Sequence, residues 1–198
     1  DRAHPCVIAW VPFNESWGVW HQSSRPQQRA FVDGVVGITR AMDASRPVVG
    51  NDGWEFSSGD LWTLHLYFEG KSLNQRLNEL IKSPQSSVAE GNGMGSRVGA
   101  LPGANVEGLP ILLTECGGVG YGRFSESDFS YGDLPETEVL LQEAIQEIAK
   151  MIRAAPKLQG FVWTQLTDVQ QEVNGLLYFD RTPKLPIETL HEIISSIG

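Results

Sequence analysis

Apolar residues along this chain form two kinds of pattern. Near-continuous runs at Val7–Val11, Val48–Gly50, Leu61–Tyr67, Ile111–Glu115 and Phe161–Leu166 have the length and the β-branched or aromatic content of buried strands. Between them, apolar positions recur at helical spacing: Phe31, Val35, Ile38 and Met42; Leu73, Leu77, Leu80 and Ile81; Leu141, Ile145, Ile148 and Ile152; Leu190, Ile193, Ile194 and Ile197. Ser24-Arg25-Pro26-Gln27 and Ser72-Leu73-Asn74-Gln75 read as capping boxes. Arg46-Pro47 stops the first helix, Pro135 opens the longest, and Pro186 opens the last. Ser83–Gly108, rich in Gly, Ser and Pro, predicts a long loop. The resulting order is strand, helix, strand, strand, helix, strand, helix, strand, helix. That order predicts an α/β domain with a helix-covered parallel sheet. The interval between the second and third runs is too short for the usual crossover of about a dozen residues.

Polar residues collect where these strands end: Asn14 and Glu15, Asn51 and Asp52, His65 and Tyr67, Glu115, then Trp163 and Gln165. In parallel α/β folds the loops leaving the strands converge at that edge, so ligands bind there. The pattern predicts a cleft with two carboxylates, an amide, an imidazole, a phenol and an indole. Glu15 and Glu115 suit glycoside hydrolysis. That reaction needs one carboxyl protonated for the leaving oxygen and another ionised toward the sugar's anomeric carbon.

Composition narrows the alternatives. Among 198 residues, 24 acidic side chains against 15 basic ones leave a formal charge of −9. Such a surface repels phosphate backbones, which argues against a nucleic-acid partner. No apolar run reaches the roughly 18 residues of a membrane span, and the first residues, Asp1-Arg2-Ala3-His4-Pro5, lack the apolar stretch of a signal peptide. Cys6 and Cys116 form no disulfide framework and read as small buried hydrophobes. His4, His21, His65 and His191 lack metal-ligand spacing, and no glycine-rich phosphate loop follows a strand. No cofactor or metal is therefore expected.

Three segments carry a family resemblance. Val7–Gly18 (VIAWVPFNESWG) resembles the acid/base segment of glycoside hydrolase family 2 (GH2), and Leu112–Gly118 (LLTECGG) resembles its nucleophile segment. Gly160–Arg181 (GFVWTQLTDVQQEVNGLLYFDR) resembles its eighth-strand segment, and the three occur in the family's order. The resemblance implies part of a (β/α)8 TIM barrel, approximately strands four to eight with their helices, as one domain over residues 1–198. The first three strands and the family's preceding β-sandwich domains have no counterpart. Open sheet edges would then be covered by more chain upstream or by self-association.

It implies a retaining β-glycosidase, β-galactosidase-like, acting on a β-glycoside. Glu15 would be the general acid/base and Glu115 the nucleophile. Asn14 would bind the sugar's 2-hydroxyl, Tyr67 would donate to the nucleophile, and Trp163 would form a platform under the sugar. His65, Asn51, Asp52 and Trp54 would line the same rim. Trp163 also fits core packing, His65 a structural histidine, and Trp54 a lid contact. Some family members bind a divalent cation near the acid/base, but their ligands find no match here. Asp168, Glu172 and Asn174 belong to the resemblance without an evident chemical task beyond turn-type hydrogen bonds. The NESWG segment does not name the sugar, and no Arg or Lys at a matched position argues for a uronic acid. The alternatives are an inactive fragment, a carbohydrate-binding relic, or another barrel glycosidase family with the same two-Glu arrangement.

Overall fold

The computed structural model describes residues 1–67, 73–89, 97–122, 128–132 and 134–198. Its elements, in chain order, are β1 (Phe13–Asn14), α1 (Pro26–Met42), β2 (Asn51–Asp52), β3 (Trp62–His65), α2 (Leu73–Lys82), β4 (Ser87–Ala89), β5 (Arg97–Val98), β6 (Ile111–Gly117), α3 (Glu138–Arg153), β7 (Leu158–Thr164) and α4 (Ile187–Ser195). The chain divides into two compact units. The first comprises Asp1–Leu66, Asn78–Thr114 and Leu158–Gly160; the second comprises Tyr67–Leu77, Glu115–Lys157 and Phe161–Gly198. No described helix is long and apolar enough to cross a membrane.

Strands β1 and β2 pair in parallel, with Phe13 opposite Asn51 and Asn14 opposite Asp52. The backbone of His65 donates to Gly53 O at 3.2 Å, tying the end of β3 to the end of β2. A second sheet has the order β3-β6-β7.

The first expected strand is mostly lost. In Val7–Val11 only Trp10 makes a bridge, to Val48, and regular pairing starts at Phe13. The Arg46 guanidinium takes the carbonyls of Val7 and His4, at 2.6 and 3.0 Å, and Pro12 has no N–H to offer a ladder.

Helix α1 is turned relative to the expected stripe. Val32 and Val36 are buried, whereas Phe31, Ile38 and Met42 are exposed. Apolar residues occupy more than one face of this helix, so spacing alone left two overlapping stripes about 100° apart. Its cap also differs: Arg25 occupies the N-cap without a side-chain bond, and Pro26 starts the helix. Ser72, of the other expected capping box, lies outside the described residues. Helix α3 starts at Glu138 rather than Pro135, because the Thr137 hydroxyl accepts from Leu140 N at 3.2 Å. Its stripe, Leu141, Ile145, Ile148 and Ile152, is buried as expected, as are Leu190 and Ile193 of α4.

The segment expected as a long loop contains the antiparallel pair β4-β5. It is anchored by Glu55 N to Val98 O at 2.7 Å and Leu101 N to Phe56 O at 2.9 Å. Trp62 Nε1 adds a bond to Gly99 O at 3.1 Å. Ala100 and Leu101 are thereby buried beside Trp62 and Leu64, which make the core of the first unit with Val32, Val36, Leu80 and Leu113. Cys116 is buried, but Cys6 is exposed, against the expectation for it.

Candidate active site

In the first unit the site starts from a strained turn. Trp17 N donates to Asn14 O at 2.9 Å, and the two central residues, Glu15 and Ser16, have φ of 52° and 60°. Both are left-handed without being glycine, at a cost of about 1 kcal/mol or more each. Hydrogen bonds hold them there. Glu15 N donates to Asp52 O at 2.9 Å, and Ser16 N donates to Asn51 Oδ1 at 2.9 Å. Ser16 Oγ donates to Glu55 Oε2 at 2.6 Å and accepts from Asn51 Nδ2 at 3.1 Å. Glu55 is buried and paired with Arg97 NH1 at 3.2 Å, and that guanidinium lies 5.6 Å from the centre of the Trp20 ring.

The turn delivers the Glu15 carboxyl to His65. Glu15 Oε1 lies 2.7 Å from His65 Nδ1, and His65 Nε2 lies 3.4 Å from Asp52 Oδ2. Thr114 Oγ1 donates to Asp52 Oδ1 at 2.6 Å. Burial pushes the Asp52 carboxyl up, but bonding and attraction from His65, with the hydroxyls of Thr114 and Thr63, outweigh it and leave the pKa lowered. Gly53 makes room for the ring. Its φ is +92°, and a Cβ there would sit 2.6 Å from the imidazole.

In the second unit the Tyr67 hydroxyl donates to Glu115 Oε2 at 2.5 Å. Burial, then the Glu115 charge, pushes the phenol well above its ordinary pKa, so it stays a donor. Tyr67 is stacked on Tyr131 with ring centres 4.7 Å apart. Behind Glu115, Cys116 donates to Val162 O at 3.4 Å, and burial with the nearby carboxylate pushes its thiol up to about 12. Gly117, at φ +93°, lies so close to Trp163 that a Cβ would meet the indole at 2.6 Å. Trp163 is half-buried, with its Nε1 unbonded among the described residues.

The segment after β7 is tied by a buried pair. Lys184 Nζ reaches Asp168 Oδ1 and Val173 O, both at 2.7 Å, and Asp168 Oδ1 accepts from Gly175 N at 2.8 Å. Asp168 thus holds its own loop, and Glu172 accepts from the Tyr131 hydroxyl at 3.2 Å. Asn174 is buried, and its backbone carbonyl accepts from Gln165 N at 3.3 Å.

Four residues expected on a sugar-binding rim make contacts within the protein. Asn51, 1 % exposed, spends its amide on Ser16 and on Trp54 O. The His65 side chain is 1 % exposed and lies between two carboxylates. Both Asp52 oxygens are engaged, and Trp54 is buried with its ring edge-on to His65 at 5.9 Å. Asn14, by contrast, is exposed beside Glu15.

Comparison with solved structures gives high fold similarity at low sequence identity. A GH2 β-galacturonidase from Eisenbergiella tayi, bound to glycerol, superposes with a TM-score of 0.68 at 18 % identity, over 98 % of this chain and 34 % of that one. Lactobacillus rhamnosus β-glucuronidase gives 0.62 at 18 % identity, over 100 % of this chain and 33 % of that one. β-D-Glucuronidase of Dictyoglomus thermophilum gives 0.64 at 18 %, with the same coverage of 100 % and 33 %. The chain has the fold of a GH2 hydrolase segment. It spans about a third of the length of these structures. No protein-family model and no curated protein matches the sequence.

Within this GH2-type fold, the sequence did not single out Ser16, Glu55, Arg97 or Thr114. Their partners are 39, 42 and 62 residues away along the chain, beyond the reach of local spacing. The one available signal was the polar Thr114 inside the apolar run before Glu115.

Proposed function

We propose that this chain carries catalytic chemistry of a retaining β-glycosidase and forms part of a (β/α)8 barrel, about its fourth to eighth strands. The Tyr67–Glu115 hydrogen bond of 2.5 Å carries the reading. A phenol that keeps its proton holds the facing carboxylate ionised and aimed, which is the state a nucleophile needs.

Glu115 attacks the anomeric carbon while Glu15 gives its proton to the departing glycosidic oxygen. The carbon–oxygen bond breaks and a glycosyl ester to Glu115 forms. Water then attacks the same carbon, gives a proton to Glu15 and releases Glu115, with retained configuration after two inversions. Asn14 is the proposed ligand of the 2-hydroxyl, and Trp163 the platform under the ring. A neutral, galactoside-type sugar is the proposed substrate class. Lys184, a buried cation of the second unit's last segment, is already committed to Asp168 and Val173. The β-uronides that name the neighbouring structures are the competing class.

The test is hydrolysis of aryl β-galactosides and β-uronides by the wild type, Glu115→Gln and Glu15→Gln. The proposal expects Glu115→Gln to remove turnover of every substrate. It expects Glu15→Gln to spare an activated aryl leaving group more than an alkyl one, because a good leaving group needs less acid help. Full activity in Glu115→Gln would overturn the nucleophile assignment.

A further inference from the structure

The segment after Glu15 returns on itself through a closed set of contacts within the first unit. Trp17 N donates to Asn14 O and Val19 N to Ser16 O, both at 2.9 Å, and Gly18 turns the chain at φ +79°. Val19 is buried and pins the segment to the core of that unit. The Trp17 and Trp20 rings meet edge to face, with centres 4.5 Å apart and planes at 71°. The Arg97 guanidinium lies 5.6 Å from the centre of the Trp20 ring, inside the reach of a cation–π contact. Arg97 in turn pairs with Glu55, and Glu55 accepts from the hydroxyl of Ser16, next to Glu15. The circuit therefore begins and ends at the turn that carries Glu15.

One large side chain of this circuit is open to solvent: Trp17 is 58 % exposed, whereas Glu55 and Arg97 are largely buried. A lone exposed indole on a protein surface means little. This one lies two residues after Glu15, is fixed at its backbone and at its ring, and is backed by an ion pair that is costly to bury. An aromatic surface held in this way gives contact area with little ordering cost when a ligand settles on it.

We propose that Trp17 is the platform of an aglycone subsite, which takes a planar, aromatic leaving group. The inference rests on the reading of Glu15 as acid/base. That residue gives its proton to the departing oxygen, so the leaving group lies on its side of the scissile bond. The indole offers a flat, uncharged π-face, and a second ring packs on it better than a short alkyl group does. The subsite adds selectivity for the leaving group, separate from the sugar contacts proposed for Asn14 and Trp163.

The experiment is 19F NMR of the full Glu115→Gln chain labelled with 5-fluorotryptophan, titrated with phenyl and with methyl β-galactoside. The six tryptophans give six resonances, and Trp17→Phe and Trp163→Phe assign their own signals. The phenyl glycoside is expected to move the Trp17 and Trp163 resonances, and the methyl glycoside that of Trp163 alone. In dissociation constants, Trp17→Ala is expected to cut the preference for phenyl over methyl by about two- to tenfold, the range of one aromatic pair. Trp17→Phe, which keeps a flat ring, should restore most of it. A merely structural role would weaken both glycosides alike. A Trp17 signal unmoved by the phenyl glycoside while Trp163 responds, or a preference unchanged in Trp17→Ala, would overturn the subsite and leave the glycosidase reading standing. Silence of all six resonances toward both glycosides would overturn the subsite, and absence of turnover by the wild type as well would contradict the glycosidase reading.

Discussion

Glu115 and Cys116 are adjacent in sequence and opposite in chemistry, because successive strand residues point to opposite faces. Glu115 is half-buried and meets a phenol, whereas Cys116 is fully buried against the carbonyl of Val162. The thiol is held up to about 12, first by burial and then by the Glu115 charge, against 9.0 for an ordinary thiol. A raised folded pKa means that the folded chain keeps a proton the unfolded chain loses. Stability is therefore intact below pH 9 and falls as pH rises toward 12. The expected contribution is about 1.4 kcal/mol per pH unit within that window. Urea unfolding of the wild type and Cys116→Ala across the window checks it, since the alanine variant should lose that much less stability per unit. Parallel stability curves for the two would contradict the assigned burial of the thiol. Cys6, exposed, shows that residue type alone did not decide the environment of either cysteine.

At the scale of elements, the sequence revealed what depends on local periodicity and hid what depends on distant partners. The burial of α3 was legible because Leu141, Ile145, Ile148 and Ile152 form a single stripe on an otherwise polar helix. Helix α1 was misread because Phe31, Val32, Val35, Val36, Ile38 and Met42 surround much of its circumference. The pair β4-β5 was hidden in a Gly/Ser/Pro-rich stretch, since its order comes from bonds to Glu55 and Phe56. Both candidate carboxylates were legible at strand ends. The turn that aims Glu15 was not, because Ser16 and Glu55 meet only after folding. The assignment of faces on α1 makes a direct prediction. Val36→Ala, which removes a side chain with 1 % exposure, should cost about 1–3 kcal/mol. Ile38→Gln with Met42→Gln, at 61 % and 73 % exposure, should stay within about 0.5 kcal/mol per site. Chemical denaturation midpoints decide between the two faces. A greater loss from the double variant would restore the stripe expected from sequence.

For the whole molecule, the substrate we propose is a small glycoside rather than a polyanion. A formal charge of −9 suits a partner without phosphates, and the GH2-type fold matches solved hydrolases over essentially the full chain. The chain spans about a third of the length of those structures. The most direct measurement is covalent trapping. The full chain is incubated with activated 2-deoxy-2-fluoro-β-glycosides of the galacto, glucurono and galacturono series, and peptides are then read by mass spectrometry. The fluorine slows both formation and release of the glycosyl ester, and the activated leaving group restores the rate of formation alone, so the ester accumulates. The account predicts one glycosyl adduct, on the peptide carrying Glu115, formed from the galacto reagent and absent in Glu115→Gln. An adduct on any other residue, or no adduct and no turnover with every reagent, would contradict it.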